Sequence, residues 1–294
     1  MIEICEVGPR DGLQNECKLI PTAQKVELIH RLIDAGIRNI EAVSFVNPKV
    51  VPQMADAEEV LSQLPKDLGV RYGGLVLSRS GLERALKTDV EFLHVVTTTS
   101  DSFNLKNVKR TVNDSVTELT PVIKEGIQSD RKIVGVLGTA FGCPFEGEVQ
   151  LAHVLQVAEK FLEAGCSELT LADTTGMANP AQVQNVVNAF FSTFGPDLTL
   201  GLHFHNTRGL GLANTLAGYQ AGVKKFDSSI AGLGGCPFAP KAVGNVCTED
   251  MVNMFHGMKI ETNANLEKLV ETSKWMEEVM GRSLDGMLIK AGIA

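Results

Sequence analysis

Three features are missing from this 294-residue sequence, and each absence excludes a class of function. There is no cluster of Lys and Arg long enough to hold a phosphate backbone, and the formal net charge is −8. Nucleic acids and anionic membrane surfaces are therefore not expected partners. No uncharged apolar run approaches the roughly 20 residues that a helix needs to span a bilayer. Residues 1–6 have no basic flank and no extended apolar core, so we do not expect a secretion signal.

The cysteines lack the spacing of a metal or redox motif. Six cysteines are scattered along the chain, and no two of them form a Cys-x-x-Cys pair. In a chain of this size such cysteines are typical of reduced thiols, so we expect a cytoplasmic protein without a disulfide frame.

Short β-rich segments alternate with helical segments through eight rounds, which predicts a single α/β domain built as a (β/α)8 TIM barrel. The barrel is expected over about 2–260, and a C-terminal helical extension, with a helix over 266–280, over about 263–294. A doubly wound open sheet is the alternative, but the first turn, Val-Gly-Pro-Arg-Asp-Gly, is not the Gly-x-Gly-x-x-Gly of that fold. The predicted strands are 2–7, 39–45, 70–77, 90–97, 132–141, 168–173, 199–205 and 225–231.

Three helices are predicted to end at a glycine before the next strand. These are Gly36, Gly165 and Gly222, each preceded by alanine. Glycine is the usual residue just past a helix C-terminus because it adopts positive φ without a Cβ penalty.

Two histidines two residues apart end the seventh predicted strand. Side chains alternate along a strand, so His203 and His205 face one way and Phe204 the other. Two neutral imidazoles on one face make half of a divalent metal site, and the carboxyl ends of barrel strands are where such barrels carry their chemistry. The alternative is that one or both are hydrogen-bonded interior histidines.

Other polar residues are expected at the same rim of the barrel. Arg10 and Asp11 follow the first strand, Glu41 lies inside the apolar second strand, and Asp173 ends the sixth. Each also has a structural explanation. The Gly-Pro-Arg-Asp-Gly segment is typical of a turn, Glu41 could simply pair with Arg10, and Asp173 could cap the helix that begins near Pro180.

A glycine-rich segment and a helix follow the eighth strand and bring further candidates. Cys236 lies in Gly-Leu-Gly-Gly-Cys-Pro, and Asn245 and Glu249 come soon after. A free cysteine is more often a small buried apolar residue than a reactive one. Asp11, His203, His205 and Asn245 together offer two oxygens and two nitrogens without a thiolate. That donor set favours Mg²⁺ or Mn²⁺ over a structural zinc ion.

Several long motifs occur in order along the chain. They are Gly-Pro-Arg-Asp-Gly-Leu-Gln-Asn-Glu (8–16), Ser-Phe-Val-Asn-Pro (44–48), Val-Pro-Gln-Met-Ala-Asp (51–56), His-Phe-His (203–205) and Ala-Gly-Leu-Gly-Gly-Cys-Pro-Phe-Ala (231–239). Together they resemble the motifs of the 3-hydroxy-3-methylglutaryl-CoA lyase family, and the resemblance runs from residue 4 to about residue 280. The family belongs to a wider group of metal-dependent barrels with an Asp-Arg-Glu signature, which includes isopropylmalate and citramalate synthases.

The resemblance implies a carbon–carbon lyase that cleaves 3-hydroxy-3-methylglutaryl-CoA, or a close 3-hydroxy-acyl-CoA analogue, to acetyl-CoA and acetoacetate, and that forms a homodimer. It implies a divalent metal held by Asp11, His203, His205 and Asn245. The residues to which it gives catalytic or supporting roles are Arg10, Asp11, Cys236, His203, Glu41, Asp173 and Glu249.

One segment departs from the family pattern. Asn206 stands where the lyases carry an aspartate, and Arg208 stands where they carry a tyrosine. Asn206 removes a negative charge beside the expected ligands, and the planar fork of Arg208 suits a carboxylate. We therefore expect Arg208 to bind substrate and the acyl specificity to differ.

In the expected reaction, Asp11 or His203 takes the proton of the substrate's tertiary hydroxyl and the C2–C3 bond breaks. Arg10 faces the developing enolate oxygen, and Cys236 protonates the enolate carbon. Gln14, Lys106 and Lys109 are expected to bind the substrate, the two lysines near the phosphates of CoA.

Three other functions stay open on the sequence alone. The same rim could catalyse the reverse condensation of acetyl-CoA with a 2-keto acid. It could cleave a related ester such as citramalyl-CoA. A barrel that only binds a metal or an acyl-CoA is the third alternative.

Overall fold

Eight parallel strands form a closed barrel in chain order, and β1 pairs with β8 to complete it. The computed structural model describes residues 1–234 and 244–293. The predicted (β/α)8 TIM barrel is therefore confirmed. The strands are β1 (Glu3–Glu6), β2 (Asn39–Ser44), β3 (Arg71–Val76), β4 (Phe92–Thr98), β5 (Lys132–Gly138), β6 (Glu168–Asp173), β7 (Thr199–Phe204) and β8 (Lys225–Ser228).

Two strands, the fifth and the eighth, end three residues earlier than predicted, because the backbone that follows leaves the extended region. Thr139 adopts a φ of 56° directly after β5, and Ala231 adopts a φ of 57° in a turn of 3-10 helix, Ile230–Gly232, after β8. A positive φ is incompatible with a β-strand, so the apolar residues that continue each sequence run belong to the loops at the rim.

Helices surround the barrel, and none in the described ranges is long and apolar enough to cross a membrane. The C-terminal helix Leu266–Met280 has the predicted bounds, whereas the short helix Met287–Ala291 is not predicted by the sequence. The boundary between barrel and extension stays a prediction. The helices are α1 (Thr22–Asp34), α2 (Ala57–Ser62), α3 (Arg79–Ala85), α4 (Asp101–Val108), α5 (Val112–Gln128), α6 (Leu151–Ala164), α7 (Pro180–Phe194), α8 (Gly211–Gln220), α9 (Thr248–Gly257), α10 (Leu266–Met280) and α11 (Met287–Ala291).

The three predicted helix-ending glycines lie where the sequence places them. Gly36, Gly165 and Gly222 have φ values of +92°, +112° and +107°. After α1, the amide of Ile37 donates to the carbonyl of Leu32 at 3.0 Å, which is the long hydrogen bond of a Schellman motif. The same pattern follows α6 and α8, so these glycines set the return from helix to strand.

Most of the apolar core lies between the strands and the helices. Phe161, Phe190 and Phe255 are fully buried in this layer, and each contributes about 1.5–3 kcal/mol by its burial. Inside the barrel a much smaller apolar cluster forms around Val134, Val136 and Ala172. Because helix packing provides most of the burial, the rest of the barrel interior is available for polar side chains.

Two local irregularities place polar groups at the carboxyl end of the barrel. In β2, Glu41 pairs with Gly73 and Val43 with Gly74, so the register shifts directly after Glu41. Such bulges re-aim side chains and often occur beside functional sites. After β1, Gly8–Gly12 forms one wide turn of π-type helix, in which the amide of Asp11 donates to the carbonyl of Val7 at 2.7 Å.

Candidate active site

A cavity of about 400 Å³ opens at the carboxyl ends of the strands, where (β/α)8 barrels carry their active sites. Loops and strand ends from around the barrel contribute to it. Polar residues in its lining include Arg10, Asp11, Gln14, His94, Thr97, His203, His205 and Asp227.

Three of the predicted metal ligands converge at this cavity. One potential ligand atom from each of Asp11, His203 and His205 lies within 4.8 Å of the other two. Asn245, the fourth predicted ligand, forms a bridge with His205 through the backbone, and its Nδ2 donates to Asp11 Oδ2 at 2.8 Å. The structure therefore brings together four residues that span more than 230 positions of the chain.

The Asn245 side chain tests whether these residues fit a cation. Its Nδ2 also donates to the carbonyl of Leu233 at 3.0 Å, which fixes the amide. Its Oδ1 is buried and accepts no hydrogen bond from the residues that the structure describes. Burying a carbonyl oxygen without a donor costs free energy, so a cation that accepts this lone pair would remove the penalty. The donor set fits a divalent metal.

An aspartate behind His203 orients that ring. Asp227 Oδ2 lies 3.2 Å from His203 Nδ1, an arrangement that directs Nε2 away from the aspartate as the ligand nitrogen. Burial alone lowers the pKa of His203, but the hydrogen bond and charge of Asp227 outweigh it, so the pKa is raised. Burial raises the pKa of Asp11, yet Arg10 and the two histidines hold it well below its usual range.

Arg10 is held between two carboxylates. Its Nη1 donates to Asp11 Oδ1 at 2.7 Å, while its Nε and Nη2 lie 2.7 Å and 2.5 Å from Glu41 Oε2. Glu41 is fully buried, and its other oxygen lies 2.9 Å from His94 Nδ1. Burial raises the pKa of Glu41, but the charges of Arg10 and His94 more than reverse the shift and lower it. The predicted Arg10–Glu41 pair thus exists, and it fixes the guanidinium at the cavity.

Asp173 and Glu249 are buried behind the cavity, outside the described part of its lining. Asp173 accepts the amides of Met177 and Ala178 at 2.7 and 3.0 Å, and its burial raises its pKa to about 6. Glu249 accepts the amide of Ala231 at 3.0 Å, and its burial raises its pKa to about 8. Each carboxyl group organises a loop at the rim, and the catalytic roles predicted for both stay predictions.

Of the predicted substrate-binding residues, some line the described part of the cavity and others lie outside it. Gln14 lines the cavity, whereas Lys106 lies over the ring of Phe145 at 3.4 Å and Lys109 Nζ donates to the carbonyl of Lys106. Neither lysine is part of the described lining, to which α4 and its following turn contribute other residues.

Arg208 is exposed and also lies outside that lining. Its Nη1 donates to the carbonyl oxygens of Thr175 and Gly176 at 2.9 and 2.8 Å, so it joins the β7–α8 loop to the β6–α7 loop. Its substrate-binding role stays a prediction. Cys236 falls within 235–243, outside the described residues, and its role stays a prediction as well.

Two residues of the site were not predicted from the sequence, His94 and Asp227. Each is a polar residue that lies between two buried residues of its strand, which predicts an inward-facing polar side chain. That pattern was the available signal. Their partners, Glu41 and His203, depend on the register of the closed barrel.

A class of protein follows from comparison with known families. The profile of the HMGL-like family matches residues 1–276. The chain therefore belongs to this family, and the resemblance seen in the motifs is confirmed.

Relatives with assigned activities cover nearly the whole chain. A hydroxymethylglutaryl-CoA lyase of Bacillus subtilis is 43% identical over 283 residues, covering 96% of this chain and 94% of the relative. An (R)-citramalyl-CoA lyase of Chloroflexus aurantiacus is 41% identical over 303 residues, covering 99% and 95%. A structure of an HMG-CoA lyase from Acinetobacter baumannii, in complex with coenzyme A and 3-methylmalate, superposes with a TM-score of 0.95 at 42% identity, covering 99% and 95%.

Proposed function

We propose that this protein is a metal-dependent carbon–carbon lyase that cleaves 3-hydroxy-3-methylglutaryl-CoA to acetyl-CoA and acetoacetate. The observation that carries the proposal is the convergence of Asp11, His203 and His205 with Asn245 at one cavity, beside the buried pair Arg10–Glu41. A binding protein without catalysis does not need a fixed guanidinium next to its metal ligands. Relatives that align with almost the full length of this chain are named as lyases.

Mg²⁺ or Mn²⁺ is the cation that the donor set favours. Asp11 and Asn245 supply oxygens and the two histidines supply nitrogens, with no thiolate among the four. When bound, the cation lowers the pKa of the substrate's hydroxyl group and stabilises negative charge on its oxygens. Removal of metal with EDTA should abolish turnover, and added Mg²⁺ or Mn²⁺ should restore it.

Arg10 stabilises the charge that develops during cleavage. The hydroxyl proton leaves to Asp11, directly or through one water, and the C2–C3 bond breaks. His203 is not available as the base, because Asp227 engages its Nδ1 and its Nε2 is the ligand nitrogen. The electron pair of that bond passes to the thioester as an enolate. Because Asp11 and Glu41 hold the guanidinium from two sides, it needs no reorganisation to face the enolate oxygen.

The enolate carbon then requires a proton, and we assign that step to Cys236. Two glycines precede it in the chain, Gly232 and Gly234. Their φ values are +70° and +101°, a region of backbone conformation that favours glycine. Cys236→Ala should lose turnover with unchanged metal content, and alkylating agents should inactivate the wild type. Full activity of the alanine variant would contradict the assignment.

We further propose that CoA lies along α4. Gln14 contacts the substrate within the cavity, and Lys106 and Lys109 lie near the CoA phosphates. Changing both lysines to alanine should raise KM for the CoA ester with little change in kcat. The pair Lys66→Ala with Lys87→Ala, on other surface segments, is the matched control for loss of positive charge.

A citramalyl-CoA lyase is the second candidate, favoured by the Chloroflexus relative and by the change at Arg208. Through its bonds to the β6–α7 loop, Arg208 influences acyl specificity without lining the described cavity. Purified protein with Mg²⁺ should be assayed on both esters, following acetoacetate and pyruvate. Release of acetoacetate supports the first function, and release of pyruvate alone supports the second. Absence of both products would contradict the proposal of a lyase.

The family resemblance supports a dimer, and the scattered cysteines support a reducing compartment. We propose a homodimer in the cytoplasm. Light scattering on the purified protein tests the first, since a mass of one 31.6 kDa chain would contradict it.

A further inference from the structure

One polar side chain contacts Glu41 of the Arg10–Glu41 pair from a strand two positions away in the barrel. His94 lies on β4, between apolar neighbours in Phe-Leu-His-Val-Val, and is 5% exposed. Strand β3 lies between β4 and β2. The side chains of His94 and Glu41 therefore meet inside the barrel, across the inner face of β3.

A glycine in β3 makes room for this arrangement. Gly73 pairs with Glu41 on one side and with Phe92 on the other. A Cβ on Gly73 would lie 2.1 Å from the ring of Phe92, so the ring occupies the space that a side chain would take. Phe92 in turn packs against His94, with ring centroids 5.3 Å apart. The imidazole is thus held on its far side and directed at Glu41.

The hydrogen bonds of Glu41 show why His94 matters for Arg10. Glu41 is fully buried, and a buried carboxylate is costly unless both oxygens are paired. Oε2 accepts from the Arg10 guanidinium and Oε1 from His94 Nδ1. Without His94, Oε1 loses its donor among the described residues. The carboxylate then gains by turning toward the remaining cation, which changes the direction of the guanidinium.

We propose that His94 is a positioning residue of this enzyme, which holds Glu41 so that Arg10 is aimed at the substrate. The inference rests on the proposed function, because it assigns Arg10 to the reaction. His94 also lines both the catalytic cavity and a small polar void of about 30 Å³ beneath it. It therefore closes the floor of the site as well as bonding Glu41.

The test compares a substitution that keeps a hydrogen-bond donor near the position of Nδ1 with one that removes the donor. The amide nitrogen of asparagine lies near the position of Nδ1, so His94→Asn keeps the hydrogen bond to Glu41. His94→Leu removes it at similar volume. Loss of a partner that orients a catalytic group costs about 10- to 100-fold in activity. We expect His94→Leu to lower kcat by that factor with KM within about threefold, and His94→Asn to regain most of the loss.

A double-variant cycle separates positioning from a general effect on the fold. If His94 acts through Glu41, the variant carrying both His94→Leu and Glu41→Gln should be no slower than Glu41→Gln alone. Mn²⁺ binding by all variants should match the wild type, since none of the four ligands is changed. His30→Leu, at an exposed histidine of α1, is the control and should keep full activity.

Two results would overturn the inference in a wild type that is active. One is unchanged kcat for His94→Leu, and the other is a double variant whose losses multiply. If instead the wild type turns over no acyl-CoA, the proposed function fails. Unchanged Mn²⁺ binding together with a melting temperature of His94→Leu near that of the wild type shows that any loss in kcat comes from geometry.

Discussion

The two ends of the barrel both carry charged residues, but they use them differently. At the amino end, Glu3 pairs with Arg71 and Lys225, and Glu168 pairs with Lys132 and Lys225. These ion pairs enclose a void of about 30 Å³, room for about one water molecule. The carboxylates there neutralise neighbouring cations.

At the carboxyl end the cavity is about 400 Å³, and its polar groups are arranged to meet a ligand. Asn245 Oδ1 is buried without a donor among the described residues, and Asp11 and the two histidines converge beside it. The comparison teaches that a cluster of charges does not by itself identify a functional site. Donor atoms that converge on open space do.

Arg10→Gln should give the largest effect and would separate the two ends most clearly. Gln cannot supply the bidentate cation that Asp11 and Glu41 hold, so kcat should fall about 100- to 1,000-fold. Metal content should stay at the wild-type level, because Arg10 is not a ligand. Steady-state kinetics and metal analysis measure both, with Arg71→Gln at the amino end as the matched control. Near-normal turnover of Arg10→Gln would remove the enolate role.

Glu249→Gln should change how the free energy of unfolding depends on pH, which tests the difference between buried carboxyl groups at the two ends of the barrel. Burial raises the pKa of Glu249 from 4.5 to about 8, so the folded state binds this proton more tightly than the unfolded state. The contribution of this group to stability is therefore largest below pH 4.5, and it falls as the pH rises toward 8 by about 1.4 kcal/mol per pH unit. The Gln variant should lose that part of the slope. Denaturant unfolding at pH 6 and pH 8 measures it, and an unchanged slope would contradict the account.

Glu168→Gln should have the smallest effect and leave catalysis intact. Burial raises the pKa of Glu168, but Lys225 and Lys132 more than compensate and lower it, which is the reverse of Glu249. Removing the carboxylate leaves two cations without this partner and should cost about 1–2 kcal/mol of the free energy of unfolding. Turnover should match the wild type. A large loss of kcat would show that the amino end takes part in catalysis.

The barrel and the pair of histidines at the end of its seventh strand could be predicted because local sequence patterns indicate both. Eight alternating segments, glycines such as Gly36 at helix ends, and the His-x-His spacing of His203 and His205 each have a direct physical reading. The position of Asn245 beside Asp11 required the motifs, since nothing in the spacing of two residues 234 positions apart indicates contact.

The residues that orient the site could not be predicted in the same way. His94 reaches Glu41 only because Gly73 leaves space for the ring of Phe92, and that depends on the register of three strands. Arg208 was predicted to bind substrate because its planar guanidinium suits a carboxylate and because it departs from the family pattern. The carbonyl groups that it contacts, in the β6–α7 loop, come from a distant part of the sequence.

The most direct test of the account is the position of a bound cation. Crystals grown with Mn²⁺ should be measured at the manganese absorption edge. We expect one anomalous peak at about 2.0–2.3 Å from Asp11, His203, His205 and the Oδ1 atom of Asn245. A fully occupied manganese ion held elsewhere in the protein, with these four side chains uncoordinated, would contradict it.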